Sequence, residues 1–371
     1  MEYYIWLQLC LGQGNRFIGR IFEAFSSAKS VFECETDKRL KLLPKTVCDK
    51  LNNALITEAR SILDKCKASG IEVINYHNRN YPQALREITT PPVVLYVKGT
   101  IPNFEDTPSI CIVGPRSVSD FGKKSAYSLG YRLAKSGFIV VSGGAVGSDT
   151  YAHIGALKAG GITVLVMPCG FSVSYLEENR ALREHISNSG CLISEYPPDT
   201  GVTKYTFPVR NRLLSALGLG TIIVEASKRS GTLITANHAL EQGKDVFVIP
   251  GMPNMKQYEG SNALLREGAK PLLDTSDIFN EYISIFPDKI DIEKAYKPVP
   301  KPEKTKNNKK ILNVSLSNQA QIVYNYLDKQ KFYPDDLNTG LSPSDLLSAL
   351  TELEMEFIIR ALPGGQYEIC K

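Results

Sequence analysis

Short Val- and Ile-rich runs recur along residues 93–251, and they limit what this chain can fold into. They are VVLYV (93–97), SICIVG (109–114), FIVVSGG (138–144), ITVLVMP (162–168), CLISEY (191–196), GTIIVEA (220–226) and DVFVIPG (245–251). Helix-length stretches lie between them at 120–136, 149–159, 176–188, 209–218 and 232–242. Runs this continuously apolar must be covered on both faces, and helices inserted between strands supply that cover. The pattern predicts an α/β fold with a doubly wound parallel sheet over residues 71–286.

The flanks differ. Residues 1–70 carry helical apolar spacing in YIWLQLCL, RFIGRIFEAF and VCDKLNNALITEARSILDKCKASG, broken at Gly12, Gly14 and Gly70. They predict a small helical, SAM-like domain. Its LGQGN turn is either a nucleic-acid contact or a packing turn, and the second is the commoner use of lone glycines. Residues 287–314 are rich in Pro and Lys with few large apolar residues, and they predict a linker. Residues 293–310 hold seven lysines against Glu293 and Glu303, a charge of +5 within a chain whose net charge is +4. The rest is thus near neutral, and any anion site in it must be a local cluster. Residues 315–371 read as helix, helix and hairpin, a winged-helix-like module. Its second helix is expected to expose Asp345, Glu352 and Glu354, the wrong sign for phosphates, which suits docking or packing.

No apolar run approaches the roughly 18 residues of a membrane span. The start, MEYYIWLQLC, lacks a signal peptide's basic region and cleavage site, so a cytoplasmic location is expected. The eight cysteines form no C-x-x-C pair, and His77, His153, His185 and His238 are scattered, so neither metal nor disulfides are expected.

Ligands of open α/β sheets bind beyond the carboxyl ends of the strands. Three ends here share one character: GPRSVSDFG, SGGAVGSD and SKRSGTLITA. Each joins glycine and hydroxyl residues to a helix start, where oriented N–H groups bind anions. Candidate contacts are Gly114, Arg116 and Ser119; Ser142 and Gly143; and Lys228, Ser230, Gly231 and Thr232. FPVRNR (207–212) adds Phe207, Arg210, Asn211 and Arg212 at a helix expected to run over 209–218. Cations at a helix N-terminus cost roughly 0.3–1 kcal/mol each. A phosphate held by arginine would offset that, and Phe207 offers a base-stacking face. Arg212 either shares this role or faces an acid such as Glu225 inside the fold. Neither a G-x-G-x-x-G dinucleotide loop nor a P-loop occurs, and no Ser/His/acid trio is evident. His153 is expected to be a buried helix residue, Asp149 a first-turn acid, and Glu225 a partner of Arg210 or Arg212.

Taken in order, IVGPRSVSDFG, SGGAVGSDTYAHIGAL, CLISEYPP, FPVRNRLLSAL, EASKRSGTLITANHALEQGKDVFVIPG and GSNALLREGA resemble the DprA/Smf DNA-processing family. Pro115 stands where that family usually has serine, and Val146 and Ser148 depart from its second motif. The resemblance implies an extended Rossmann-like fold, single-stranded DNA binding, a homodimer, and loading of RecA recombinase during natural transformation; with no catalytic constellation in the sequence, neither catalysis nor a cofactor is expected. By motif position it implies DNA contacts at Arg116, Ser142, Gly143, Phe207, Arg210, Asn211, Ser230, Gly231, Thr232 and Lys244. The alternative is a nucleotide-processing phosphoribohydrolase of the lysine-decarboxylase-like group. SKRSGTLITA lacks the double glycine and the glutamate of that group's PGGxGTxxE signature.

Overall fold

The structure, a computed structural model, describes residues 1–53, 55–299, 316–327, 330–356, 358–362 and 364–369. Six helices come first: α1 (Glu2–Leu11), α2 (Ile18–Ala24), α3 (Ala28–Glu33), α4 (Thr36–Leu42), α5 (Lys45–Asn53) and α6 (Ile56–Ala68). The sheet region follows as β1 (Glu72–Asn75), α7 (Gln83–Arg86), β2 (Val94–Gly99), β3 (Ser109–Val113), α8 (Asp120–Lys135), β4 (Ile139–Ser142), α9 (Ser148–Lys158) and β5 (Thr163–Met167). It continues with α10 (Arg180–Ser189), β6 (Cys191–Ser194), α11 (Thr206–Leu217), β7 (Gly220–Ile223), α12 (Thr232–Glu241), β8 (Asp245–Val248), α13 (Glu259–Arg266), β9 (Lys270–Pro271), α14 (Ser276–Tyr282) and α15 (Ile292–Ala295). The C-terminal module comprises α16 (Asn318–Asn325), β10 (Lys331–Phe332), α17 (Pro343–Met355), β11 (Ile359–Ala361) and β12 (Tyr367–Ile369).

The main sheet has the order β1-β2-β6-β5-β4-β3-β7-β8-β9. Its inner strands show why the alternation was informative. On β3, Cys111 and Val113 enter one apolar cluster with Leu213 and Leu217 of α11 and Ala236 of α12. Ile110 and Ile112 enter another with Leu133 of α8, Ala152 of α9 and Phe279 of α14. Successive side chains serve opposite faces, so both must be apolar. This is the Rossmann-like doubly wound sheet expected. From β3 the chain proceeds outward through β4, β5 and β6, then returns to add β7 on the other side of β3. That reversal places a crevice at the carboxyl ends of β4, β3 and β7.

Three expectations need correction. The run at 93–97 becomes β2, which pairs antiparallel with both β1 and β6. A strand buried on both faces reads the same in either direction, so composition did not carry this. The proposed linker begins too early. Residues 287–299 pack on the sheet region: Ile290 and Ala295 are buried in the α8/α14 cluster, and Asp291 N donates to Ser136 O at 3.0 Å. The lysine-rich remainder, 300–314, lies outside the described residues. In the C-terminal module, α17 does not present its acids to solvent. Glu352 is buried and accepts from Ser317 N and Oγ, Glu354 accepts from the Tyr151 hydroxyl at 2.8 Å, and Asp345 pairs with Arg180 at 2.7 Å.

The LGQGN turn is a packing turn. Gly12 and Gly14 have φ of 76° and 67°, the left-handed region that glycine enters without a Cβ penalty. The Gly14 amide donates to Glu195 Oε1 at 3.3 Å, so the turn caps the end of β6. Among the described residues no helix is long and apolar enough to cross a membrane, and seven cysteines are free.

Candidate nucleic-acid interface

Three strand ends and one helix start enclose a cavity of about 380 Å³ at the crevice. The β3 turn contributes Gly114 and Arg116, the β7 turn contributes Ser230, Gly231 and Thr232, and α11 contributes Phe207, Arg210 and Asn211. Asp149 of α9 forms part of the floor. Close approach explains Gly114 and Gly143, whereas a Cβ on Gly231 would meet nothing within 4 Å. A Cβ on Gly114 would lie 2.2 Å from Ser148 Oγ, and one on Gly143 would lie 2.8 Å from both Arg210 Nη2 and Asp149 Oδ2. The two departures from the family pattern meet here, since Ser148 donates from N and Oγ to the Pro115 carbonyl at 3.3 and 3.4 Å.

α11 begins at Thr206, three residues before the sequence reading. Pro208 is then its third residue, where no intrahelical N–H is needed. Arg210 and Arg212 lie past the first turn, where the dipole penalty fades. The conflict within FPVRNR is therefore smaller than the sequence implied.

The two arginines diverge. Arg210 is 4 % exposed, with Nη1 donating to Gly143 O at 2.8 Å and to Val166 O, and Nε to Asn211 Oδ1 at 3.1 Å. It ties the β4 and β5 ends together and still lines the cavity. Burial pushes the Asp149 carboxyl up to about 6, against the opposing pull of Arg210. Arg212 leaves the site. It pairs with Glu195 at 2.5 Å, both buried, on the side of α11 that meets the LGQGN turn. Glu225, offered as the partner of either arginine, instead accepts from Ser119 N at 3.1 Å, from the Ser119 hydroxyl and from Tyr258 Oη at 3.1 Å. Ser119 is thereby a structural cap on α8.

Two more candidates are corrected. The Ser142 hydroxyl is fully buried, donates to Ile112 O at 2.6 Å and lies beside Asp149, so it supports the floor from behind and does not line the cavity. Lys244 precedes β8 at the amino ends of the parallel strands, opposite the cavity, with Glu87 as its charge neighbour. Lys228 is exposed on the β7 turn without lining the cavity. Ser230 Oγ donates to Thr232 Oγ1 at 2.9 Å, closing the turn into α12. His153 is buried on α9 against Thr163, and burial pushes its pKa down to about 3.

At the mouth, the exposed Arg116 guanidinium lies over the Phe207 ring, 5.1 Å from its centroid. Tyr175 adds a second ring 6.1 Å from Phe207. Just before α11, Lys204 Nζ sits 5.1 Å from the ring of Tyr205, which is 70 % exposed. The sequence reading missed all three. Lys204 and Tyr205 were recoverable from KYTF, where basic and aromatic residues adjoin Phe207. Tyr175 was not, since only the fold brings its loop to α11. The mouth thus offers flat rings, exposed cations and glycine-containing turns, a set suited to stacked bases and phosphates.

Comparisons with known proteins identify the family and the fold. Residues 72–283 match the family model described as DNA recombination-mediator protein A. The DNA processing protein DprA of Bacillus subtilis is 38% identical over 220 residues, which is 59% of this chain and 74% of that protein. The DprA of Streptococcus pneumoniae is 38% identical over 222 residues, or 60% and 73% of the two chains. The X-ray structure of the pneumococcal protein superposes with a TM-score of 0.66 at 31% identity, covering 76% of this chain and 98% of that one. A Helicobacter pylori DNA processing protein A, whose structure addresses its single-stranded DNA binding mode, gives 0.53 at 30% identity, covering 58% and 98%. This chain belongs to the DNA recombination-mediator protein A family.

Proposed function

We propose that this chain binds single-stranded DNA at the crevice and does so without chemistry. The observation that carries the reading is Arg116 lying over Phe207 at the mouth of a glycine-built cavity. Bases stack on such a ring whatever their identity, while arginine and backbone amides meet the phosphates. The acids near the cavity are engaged, Asp149 facing Arg210 and Glu225 holding Ser119 and Tyr258, while burial keeps His153 neutral. This supports a binding role over a hydrolytic one. A homodimer that protects incoming DNA and loads RecA recombinase during transformation is the fuller reading, and membership of the family supports it.

A mobility shift with single- and double-stranded DNA at two salt concentrations tests the core of this. Single strands should be preferred, and their affinity should fall with salt as phosphate contacts displace counterions. Preference for duplex, or no shift, overturns it. For the fuller reading, the chain should speed RecA assembly on a strand; an unchanged rate removes that role.

Asp149 gives the site a pH dependence. Above its pKa of about 6 the carboxylate offsets the charge of Arg210; below it the carboxyl is neutral and Arg210 acts alone on a phosphate. Affinity should therefore rise as pH falls from about 7.5 to about 5, and Asp149→Asn should flatten that rise. His153 does not titrate in this window. A wild-type profile that is flat, or one that Asp149→Asn leaves intact, contradicts the assignment.

A further inference from the structure

A second cavity, of about 450 Å³, adjoins the first and shares Arg116 with it. One wall is the sheet region, with Lys123 of α8, Tyr151 of α9 and Asn179. The other is the C-terminal module, with Leu347 and Thr351 of α17 and Tyr367 of β12. Contacts on both sides of the opening fix its width. Asp345 near the start of α17 pairs with Arg180 at 2.7 Å, and Glu356 at its far end pairs with Lys158 at 3.0 Å. Met355 is buried with Ile154 and Leu182 of the sheet region. The cavity therefore lies between two parts that dock through named contacts.

Its lining differs from that of the first cavity. Arg116 and Lys123 are balanced by Glu178 and Glu354, and Glu354 already accepts from the Tyr151 hydroxyl and from Ala361 N at 3.1 Å. A lining without net charge, with mixed hydroxyl, amide and apolar groups, is poor for a phosphate and suited to a base. Arg116 is exposed on the ridge between the cavities, where a phosphate joining two nucleotides would lie.

We propose that this second cavity is a base subsite for the same single strand. The strand crosses the ridge with its phosphate on Arg116 and places the neighbouring base between α9 and the C-terminal module. This rests on the reading of the crevice as a single-stranded DNA site. It gives the C-terminal module a direct part in binding, one that its acidic second helix had argued against.

The test uses the full chain. A 4-thiothymidine-containing strand, photo-crosslinked to the wild-type chain, should label residues within 347–367 as well as the Phe207 neighbourhood. Leu347→Glu and Thr351→Phe, which respectively charge and fill the cavity from the module side, should each weaken oligothymidylate binding about tenfold, the worth of one stacked base. Crosslinks confined to the first cavity, with both variants binding as wild type, overturn the proposal and leave the crevice reading intact. If neither variant folds, the wild-type crosslinks alone decide. A wild-type chain that binds no oligothymidylate removes the crevice reading and this subsite together.

Discussion

Glu195→Ala is expected to destabilise the fold by about 3–5 kcal/mol, because it leaves a buried guanidinium without its counter-charge. Arg212 is 6 % exposed and Glu195 2 %, and their contact is 2.5 Å. Arg212 Nε and Nη1 already lack hydrogen-bond partners, so the carboxylate is the main compensation for burying the charge. Burial raises the Glu195 pKa, and Arg212 first and the Gly14 amide second pull it back, so the guanidinium is the larger part of what offsets the desolvation. The same carboxylate receives the Gly14 amide, so the helical domain should loosen along with α11. Glu195→Ala combined with Arg212→Met should recover much of the loss, since it removes both charges and fills the space. By contrast, Lys29→Ala, which breaks an exposed pair with Glu33, should cost about 1 kcal/mol or less. Urea unfolding of the full chain measures all three, and a loss below about 1 kcal/mol for Glu195→Ala contradicts the assignment.

That pair also shows where sequence reasoning ran out. The strand runs were legible because β3 to β8 are apolar on both faces, a constraint written residue by residue. β1 and β9 escaped because each is a short edge strand; Glu72–Asn75 has one fully buried residue and Lys270–Pro271 has none. At the site, Arg116, Phe207 and the glycine turns could be read because they lie at strand ends with local signatures. Arg212 could not be separated from Arg210. Two positions along a helix turn the side chain to a different face, and what waits there, Glu195 rather than Glu225, is a long-range fact. Lys244 failed for the opposite reason: it is near Gly231 in sequence, but α12 carries the chain to the other end of the sheet. Ser142 failed because a hydroxyl at a strand end can turn inward as readily as outward.

Phe207→Ala should weaken single-stranded DNA binding by roughly 1–3 kcal/mol per lost stack, regardless of base sequence. The ring faces the mouth of the crevice, half-buried, with Arg116 on it and Tyr175 beside it, so removing it takes away the platform and the support of the cation together. Arg116→Ala should also weaken binding, and it should flatten the dependence of log affinity on log salt by about 0.7 for one lost phosphate contact. The ring carries no charge, so Phe207→Ala should leave that slope nearly unchanged. The two substitutions should not add. The cation held over the ring loses its placement when the ring is gone, and the coupling in a double-mutant cycle should be about 0.5–1 kcal/mol. Fluorescence anisotropy of a labelled strand at several salt concentrations gives affinity and slope in one series. Wild-type affinity in the double variant would place the strand elsewhere on the molecule. Additive losses with equal slopes would separate Arg116 from Phe207 and leave the ring as a packing residue.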